Sequence, residues 1–335
     1  MTRVRVHTGE INADMEDTSL ADLPSFMSNN SCGWIDIFQP EEESTREFLD
    51  SQMNFHHLAV DDCFEEPASR VFVYDTHKFT TFKARDADRE LDTEYLRAFL
   101  RDGWLITVRH AHMPGIAEFR KRIKSKDFKK SGELKSEYLL YQLLDSVADD
   151  WTKVLIRKSE RLDEIEDQVF DPHHVYPNLL ENLHEMKGDL REIAKSTTPL
   201  DEVVQRMLRS DEGFITEETK LYYRDLADLT HSIGTRVENY SSGAASTRDT
   251  YISQTSMRLA ESQAEAAEVM RLLTIIATIM LPITAVASIF GMNVESFGAG
   301  NGPIDLTIIL GVMAVIGFTM LLWLYVKGYI GKQRR

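Results

Sequence analysis

Leu272-Leu273-Thr274-Ile275-Ile276-Ala277-Thr278-Ile279-Met280-Leu281-Pro282-Ile283-Thr284-Ala285-Val286-Ala287-Ser288-Ile289-Phe290 runs without a charge and leads directly into Gly291-Met292-Asn293. A helix rising ~1.5 Å per residue needs roughly 20 such residues to cross the hydrocarbon layer of a bilayer, which is about the length of this run. A second charge-free run of similar length extends from Leu306 to Val326. The polar link between them, Asn293 to Asp305, is too short for a domain. The two runs therefore form a transmembrane hairpin with the Gly-Met-Asn triplet at its turn.

The hairpin takes residues 271–335 and leaves 1–270 for soluble structure. Net charge is −16, unevenly spread. From Arg271 onward Arg271, Lys327, Lys332, Arg334 and Arg335 face Glu295 and Asp305, a balance of +3, so residues 1–270 carry −19. Such a domain repels nucleic acid and attracts cations, although acidity alone also serves solubility. Arg271 precedes the first span and the other four basic residues follow the second, while the link has no Lys or Arg. The positive-inside rule then puts both termini in the cytoplasm and the triplet outside, as expected of a multi-pass inner (plasma) membrane protein. Cys32 and Cys63 are the only cysteines, without metal-ligand spacing, and suit a reducing compartment. Met1 to Ala21 is acidic and polar, unlike a signal or transit peptide.

Residues 1–132 read as a mixed α/β domain. Strand-like runs occur at 33–38, 70–74, 80–83 and 104–109, with helix-like stretches at 42–53 and 92–101. Residues 133–270 read as a helical stalk. Apolar positions at helical spacing begin near Tyr138 and continue through Leu155, Leu162, Ile165 and Val169, until Asp171-Pro172 ends the helix. A second helix, roughly 179–208, carries Leu183, Met186, Leu190 and Ile193. A third begins near Thr216, where Thr216, Glu218 and Thr219 offer capping chemistry, and meets no proline until Pro282. Taken to Phe290 it would extend ~110 Å, too long to bury a stripe alone, which implies coiled-coil packing or a subunit ring. Gly234 and Ser241-Ser242-Gly243 are its candidate kink points. Residues 271–335 are the hairpin, with spans 272–290 and 306–326.

The triplet at the end of the first of two C-terminal spans, preceded by Leu273-Thr274-Ile275-Ile276-Ala277-Thr278-Ile279 and Leu281-Pro282-Ile283-Thr284, resembles the CorA family of divalent-cation channels. Trp34-Ile35-Asp36-Ile37, His56-His57-Leu58-Ala59-Val60-Asp61-Asp62-Cys63, Leu105-Ile106-Thr107-Val108-Arg109 and Thr198-Pro199 resemble that family too. The resemblance implies an α+β fold: an N-terminal α/β cytoplasmic domain, a long helical stalk and two transmembrane helices, assembled as a homopentameric funnel. It implies transport of Mg2+, with Co2+ or Ni2+ as further cargo, no cofactor, and no enzymatic activity. Divalent cations, other copies of the chain and the lipid bilayer are the expected partners, and nucleic acid is not. No Gly-x-x-x-x-Gly-Lys-Ser/Thr segment points to ATP-driven pumping.

Mg2+ demands octahedral oxygen ligands at ~2.0–2.1 Å and sheds water reluctantly. A ring of Asn293 side chains and Gly291 carbonyls would hold the hydrated ion through its waters, attracting without trapping it. On the residues alone Gly291 is equally a helix C-cap and Asn293 a residue that tolerates the turn; the resemblance selects the filter Gly291, Met292, Asn293. Counting back from Met292 by threes and fours gives Ser288, Thr284, Leu281, Ala277, Leu273 (or Thr274) and Met270 as a pore-lining stripe, polar near the mouth and apolar within. Any membrane helix has apolar residues at such spacing. Gly311, Ala314 and Gly317 mark the second span as a packing helix.

Asp62 and Asp225 match acidic residues that the family places at subunit interfaces. Paired carboxylates repel when empty and are neutralised by a cation, so bound Mg2+ would hold a closed state. The alternative is that Asp62 caps a helix and Asp225 lies on a solvated face. The sequence also departs from the family. Its outer mouth keeps only Glu295 and Asp305, with Glu295 a candidate capture ligand. An expected asparagine before Val269-Met270 is Ala267 or Glu268. A segment around Asp249-Thr250-Tyr251-Ile252-Ser253 lies about seven residues farther from Gly291 than expected, which suggests an extra heptad bearing Glu261, Glu265 and Glu268. Of the histidines, His56-His57, His110-Ala111-His112 and His173-His174, only His110 and His112 have strand spacing on one face, and no third ligand is near. The family's zinc branch usually carries another residue at the centre of the triplet, so Met292 favours magnesium. A zinc transporter on the same scaffold, with or without proton coupling, is the alternative.

Overall fold

The computed structural model describes residues 2–8, 15–66, 68–125, 135–171, 174, 176–209, 213–291 and 302–329. The chain divides into two compact units, Met1–Thr250 and Tyr251–Arg335. The first is built on β1 (Arg3–His7), β2 (Met15–Thr18), β3 (Gly33–Phe38), β4 (Arg70–Val73), β5 (Lys78–Arg85), β6 (Thr93–Arg101) and β7 (Trp104–Arg109). Among the described residues these form one sheet of order β2-β1-β3-β7-β6-β5-β4. The β3–β7 pair is parallel, Asp36 opposite Thr107 and Phe38 opposite Arg109; every other pair is antiparallel.

Every residue of β3 and β7 is buried, because helices cover both faces of the sheet. α1 (Leu23–Asn29) precedes β3. The connection after β3 supplies α2 (Glu42–Arg46, continuing as a wider turn over Glu47–Gln52) and α3 (His57–Asp61). Phe48, Leu49, Ala59 and Val60 pack with Ile35, Ile37, Ile106 and Val108 on one face. The connection after β7 supplies α4 (Pro114–Ile123), which takes the other face: Phe119 lies 4.7 Å, centroid to centroid, from Trp34. Proline at the first turn of α4 and Arg120, Lys121 and Arg122 in the last suit the two ends of a helix.

The stretch 92–101, expected as helix, holds the interior strand β6. Tyr95, Leu96, Phe99 and Leu100 fall at i, i+1, i+4 and i+5, which imitates a helical face. Leu96, Ala98, Phe99 and Leu100 are in fact buried because neighbouring strands and helices surround β6. Asp102 (φ 46°) and Gly103 (φ 86°) close the β6–β7 hairpin in two residues, the conformation that Asp-Gly favours and that matches strand twist. A Cβ on Gly103 would sit 2.8 Å from the Ser31 carbonyl oxygen, so only glycine fits.

Three long helices complete the architecture: α5 (Ser136–Phe170), α6 (Leu179–Arg209, with Pro199 inside it) and α7 (Lys220–Gly291). α5 buries Leu140, Leu144, Val147, Trp151, Val154 and Leu155 as one stripe. Arg85 reaches from β5 to Asp150 on α5 through two bonds of 2.8 and 2.9 Å. Glu137 fixes the start of α7: one oxygen takes the Lys78 ammonium at 2.7 Å, the other the Thr216 N–H at 2.8 Å and the Thr219 hydroxyl at 3.0 Å, while Tyr223 donates to its carbonyl at 3.0 Å. The capping threonines thus meet a carboxylate 79 and 82 residues away in sequence. Gly234 and Gly243 both lie inside α7. In the second unit α7 is joined by α8 (Gly302–Val326). Both helices are long and apolar enough to cross a membrane.

Candidate functional site

Within the second unit one stripe of α7 is partly covered: Ile275, Thr278, Ile279, Pro282, Ile283 and Val286. Ile283 Cδ1 lies 3.5 Å from where a Cβ on Gly317 of α8 would stand, so the two helices pack here at a distance that would also admit a methyl group. The six residues of the expected pore stripe, Met270, Leu273, Ala277, Leu281, Thr284 and Ser288, are all exposed on the single chain, Leu281 at 72%. Leu272, Ile276 and Met280 are exposed beside them. The expected stripe is therefore part of a broad apolar face that α8 leaves uncovered.

Polar side chains on this helix satisfy themselves. The hydroxyls of Thr274, Thr278 and Thr284 each donate to the carbonyl four residues back, at 2.7, 2.7 and 2.8 Å. This answers a bilayer's intolerance of orphan donors while keeping the oxygen lone pairs able to accept from water. Gly291 is the last residue of α7. Met292, Asn293 and Glu295 lie outside the described residues.

Asp62 and Asp225 both fall in the first unit, and no contact among the described residues joins them. Asp62 stands at the C-terminal cap of α3, where its backbone carbonyl accepts from Arg97 Nε at 3.0 Å. Burial raises the pKa of its carboxyl group, and the charges of Arg70 and Arg97 offset only part of that. Its neighbour Asp61 is paired with Arg46 at 2.5 Å, whereas Asp62 has no ion pair among the described residues. Asp225 is exposed on α7. Burial, helped by the charges of Asp145 and Asp225, pushes the Tyr141 hydroxyl up to about 12. Asp145 and Asp149 share Arg122.

His110 and His112 do not share a face. β7 stops at Arg109, so the alternation expected of His110 and His112 does not continue. His110 Nε2 lies 3.0 Å from the Cys63 carbonyl, on the α3 side of the sheet, while His112 packs at a tilt against Phe38 on the other. His56 accepts from the Leu58 N–H at the start of α3, and His174 pairs with Asp171 at 2.8 Å; His173 lies outside the described residues. No group of three or more His, Cys, Asp or Glu side chains positioned for a metal occurs among the described residues.

One charged centre escapes a reading of the sequence. Asp36, at the middle of β3, accepts from Arg109 Nε at 3.0 Å and Nη2 at 2.9 Å, from Arg120 at 2.9 Å and from the Thr107 hydroxyl at 3.0 Å. Burial pushes this carboxyl up, but the two guanidiniums overcome it and hold it below the usual range. The available signal is a carboxylate within one apolar strand and a guanidinium ending another, since buried charges require partners.

A family model described as CorA-like Mg2+ transporter protein matches residues 29–328. YfjQ of Bacillus subtilis, a putative metal ion transporter, is 28% identical over 298 residues, 88% of this chain and 89% of that protein. The cobalt/magnesium transport protein CorA of Thermotoga maritima is 25% identical over 323 residues, 95% and 89% of the respective chains. Among solved structures, the complete CorA magnesium transporter of Methanocaldococcus jannaschii superposes with a TM-score of 0.68 at 19% identity, covering 98% of this chain and 99% of that one. The ZntB cytoplasmic domain of Vibrio parahaemolyticus gives 0.61 at 15% identity, covering 76% and 98%. These last two establish the fold alone. Because one family model spans all but the two ends of the sequence, this chain belongs to the CorA family and is a membrane transporter of divalent cations.

Proposed function

We propose that the protein is a homopentameric channel for Mg2+, passing hydrated ions inward through a filter of Gly291, Met292 and Asn293. The observation that carries this reading is the uncovered stripe from Met270 to Ser288 on α7, which α8 does not cover. One chain leaves these side chains bare, and five arranged about an axis would line a pore with them. Thr284 and Ser288 then put hydroxyls near the mouth, and Leu281, Leu273 and Met270 form apolar constrictions that gate by dewetting. Two charges falling through 100 mV gain ~4.6 kcal/mol, which drives influx without ATP. Co2+ and Ni2+ share the octahedral preference and would follow the same path. Glu295 would gather cations at the outer mouth. The hairpin, residues 271–335, sits in the plasma (inner) membrane with both termini cytoplasmic; residues 133–270 are the stalk and 1–132 the α/β domain.

Regulation rests on Asp62 and Asp225. Each lacks an ion-pair partner among the described residues of its own chain, the condition a carboxylate needs to take a cation together with a neighbouring copy. Cytoplasmic Mg2+ bound between them would favour the closed ring, and its loss would release it.

Proteoliposomes loaded with a divalent-sensitive dye test both parts, using Mg2+ or Zn2+ with and without a pH gradient. Mg2+ uptake that follows membrane potential, is lost in Asn293→Ala, and is less inhibited by internal Mg2+ in Asp62→Ala/Asp225→Ala supports the proposal. Zn2+ uptake that follows the pH gradient with no Mg2+ flux establishes instead the proton-coupled zinc transporter. Full Mg2+ flux in Asn293→Ala removes the filter.

A further inference from the structure

A cavity of about 330 Å3 opens at the carboxyl ends of β3 and β7, remote in sequence from every residue assigned to conduction. Its lining includes Arg3, Arg5, Arg109 and Arg120, with Phe38 and Ile116, and contains no Asp or Glu among the described residues. The sheet register dictates the cluster. Arg5 pairs with Asp36 and Asp36 with Thr107; Arg3 pairs with Phe38 and Phe38 with Arg109. Two successive rows on one face therefore carry three guanidiniums, and Arg120 comes down on them from α4.

The charges divide into two sets. Asp36 is committed to Arg109 and Arg120. Arg109 is further held by the Ala111 carbonyl at 2.7 Å and by the Phe38 ring, 4.4 Å from its centroid. Arg3 and Arg5 have no ion pair among the described residues, and Arg5 Nε is buried with no hydrogen-bond acceptor there. Arg3 and Arg5 stand two residues apart on one face of β1, where their guanidiniums repel one another, and although the register sets Glu16 and Asp36 on either side of Arg5, no ion pair to either is made among the described residues. A buried donor left unmade costs stability unless a ligand meets it.

The topology supplies a second, independent indication. The helices after β3 and after β7 go to opposite faces, and α4 begins at Pro114 on the cavity wall. Open α/β sheets bind ligands in the crevice at the carboxyl ends of such strands, and the free N–H groups of a helix N-terminus favour anions. We propose that this cavity binds a small phosphorylated anion, with Arg3 and Arg5 as its charge ligands and the start of α4 completing the oxyanion cradle. The planar fork of arginine matches phosphate oxygens two at a time. Phe38, Met113 and Ile116 offer an apolar wall to the organic part of the molecule.

The test is binding by the full chain in detergent, with divalent cations chelated so that the transport sites stay silent. Inorganic phosphate, glycerol 3-phosphate, AMP, ADP and ATP are titrated by calorimetry and by thermal shift. Dissociation constants below about 1 mM are expected for at least one phosphate compound, and the series separates a bare phosphate site from a nucleotide or phosphoglycerol site. Arg3→Gln/Arg5→Gln should weaken binding at least tenfold, and Arg5→Lys by less, because lysine keeps the charge and loses the fork. Without ligand, the double glutamine variant should melt close to the wild-type temperature, since it relieves the repulsion between the two guanidiniums and breaks no ion pair among the described residues. No saturable binding by any of the five up to about 10 mM, or equal affinity in the double variant, overturns the proposal.

Discussion

Along α7 the inward positions up to Thr247, among them Tyr223, Leu226, Thr230, Ile233, Val237 and Ala244, are buried within the first unit, whereas from Tyr251 to Ile289 not one residue is buried. Yet the sequence becomes more apolar toward that second end. In water this would be untenable, since the first half shows what this chain does with apolar surface when water is the alternative. The charge-free part of the second half, from Leu272 onward, is adapted to hydrocarbon. The difference shows that burial in one chain measures the solvent each segment was made for.

The comparison breaks most visibly at the first unit's buried charges. Arg109→Leu leaves Asp36, fully enclosed, with Arg120 alone, and the expected cost is about 3–5 kcal/mol in chemical denaturation followed by near-UV circular dichroism. A loss below about 1 kcal/mol would mean that water reaches Asp36 and that the first unit tolerates bare charge as a surface does. A paired substitution on the shared helix comes next. Leu226→Ala should cost about 2–4 kcal/mol. Leu281→Ala in detergent should cost less than about 1 kcal/mol, since its side chain leaves one apolar medium for another. Equal losses at the two positions would show Leu281 packed by protein.

Much of this contrast is visible in the sequence, and where the sequence misleads there are physical causes. Strands 33–38 and 104–109, and both ends of the helix over 179–209, stand close to where periodicity puts them, because long regular segments repeat their signal. Residues 92–101 imitate a helix because a strand covered on both faces loses its alternation. The corrective signal is Asp102-Gly103, two residues suited to left-handed backbone, which marks a hairpin more reliably than the preceding stretch marks a helix. β1 and β2 escape periodicity, since Arg3 and Arg5 disguise a strand whose other face, Val4 and Val6, is core. The Asp36 centre joins residues 73 apart, and Lys78 of the Glu137 centre reaches the Phe214 carbonyl 136 residues away. No local pattern encodes such pairings. The proposed regulatory pair is harder still, because in that proposal Asp62 and Asp225 meet only between chains.

Glu137 gives a smaller stability effect than the Asp36 centre and a more discriminating one, because it acts where α7 begins. Burial pushes its carboxyl up from the ordinary 4.5, but the Lys78 ammonium and the Thr216 N–H outweigh burial and leave it lowered. A depressed carboxyl contributes stability that is complete above its unfolded value and is lost as pH falls through the folded one. Wild-type protein should therefore hold its melting temperature from pH 7 to about 5 as far as this group is concerned, and lose stability below 4.5. Glu137→Gln keeps an acceptor for Thr216 and Thr219 but removes the counter-charge of Lys78, which is left with the Phe214 carbonyl, so at pH 7 it should cost about 1–3 kcal/mol. The deficit should shrink as pH falls below 4.5, where the carboxyl group of the unfolded chain takes up its proton first. Hydrogen exchange locates the effect: amides from Lys220 to Thr230 should lose protection in the variant, while those from Leu272 to Ser288 should not change. Equal loosening along both stretches would mean that α7 responds as one cooperative rod, and the contrast between its halves would then be one of solvent alone.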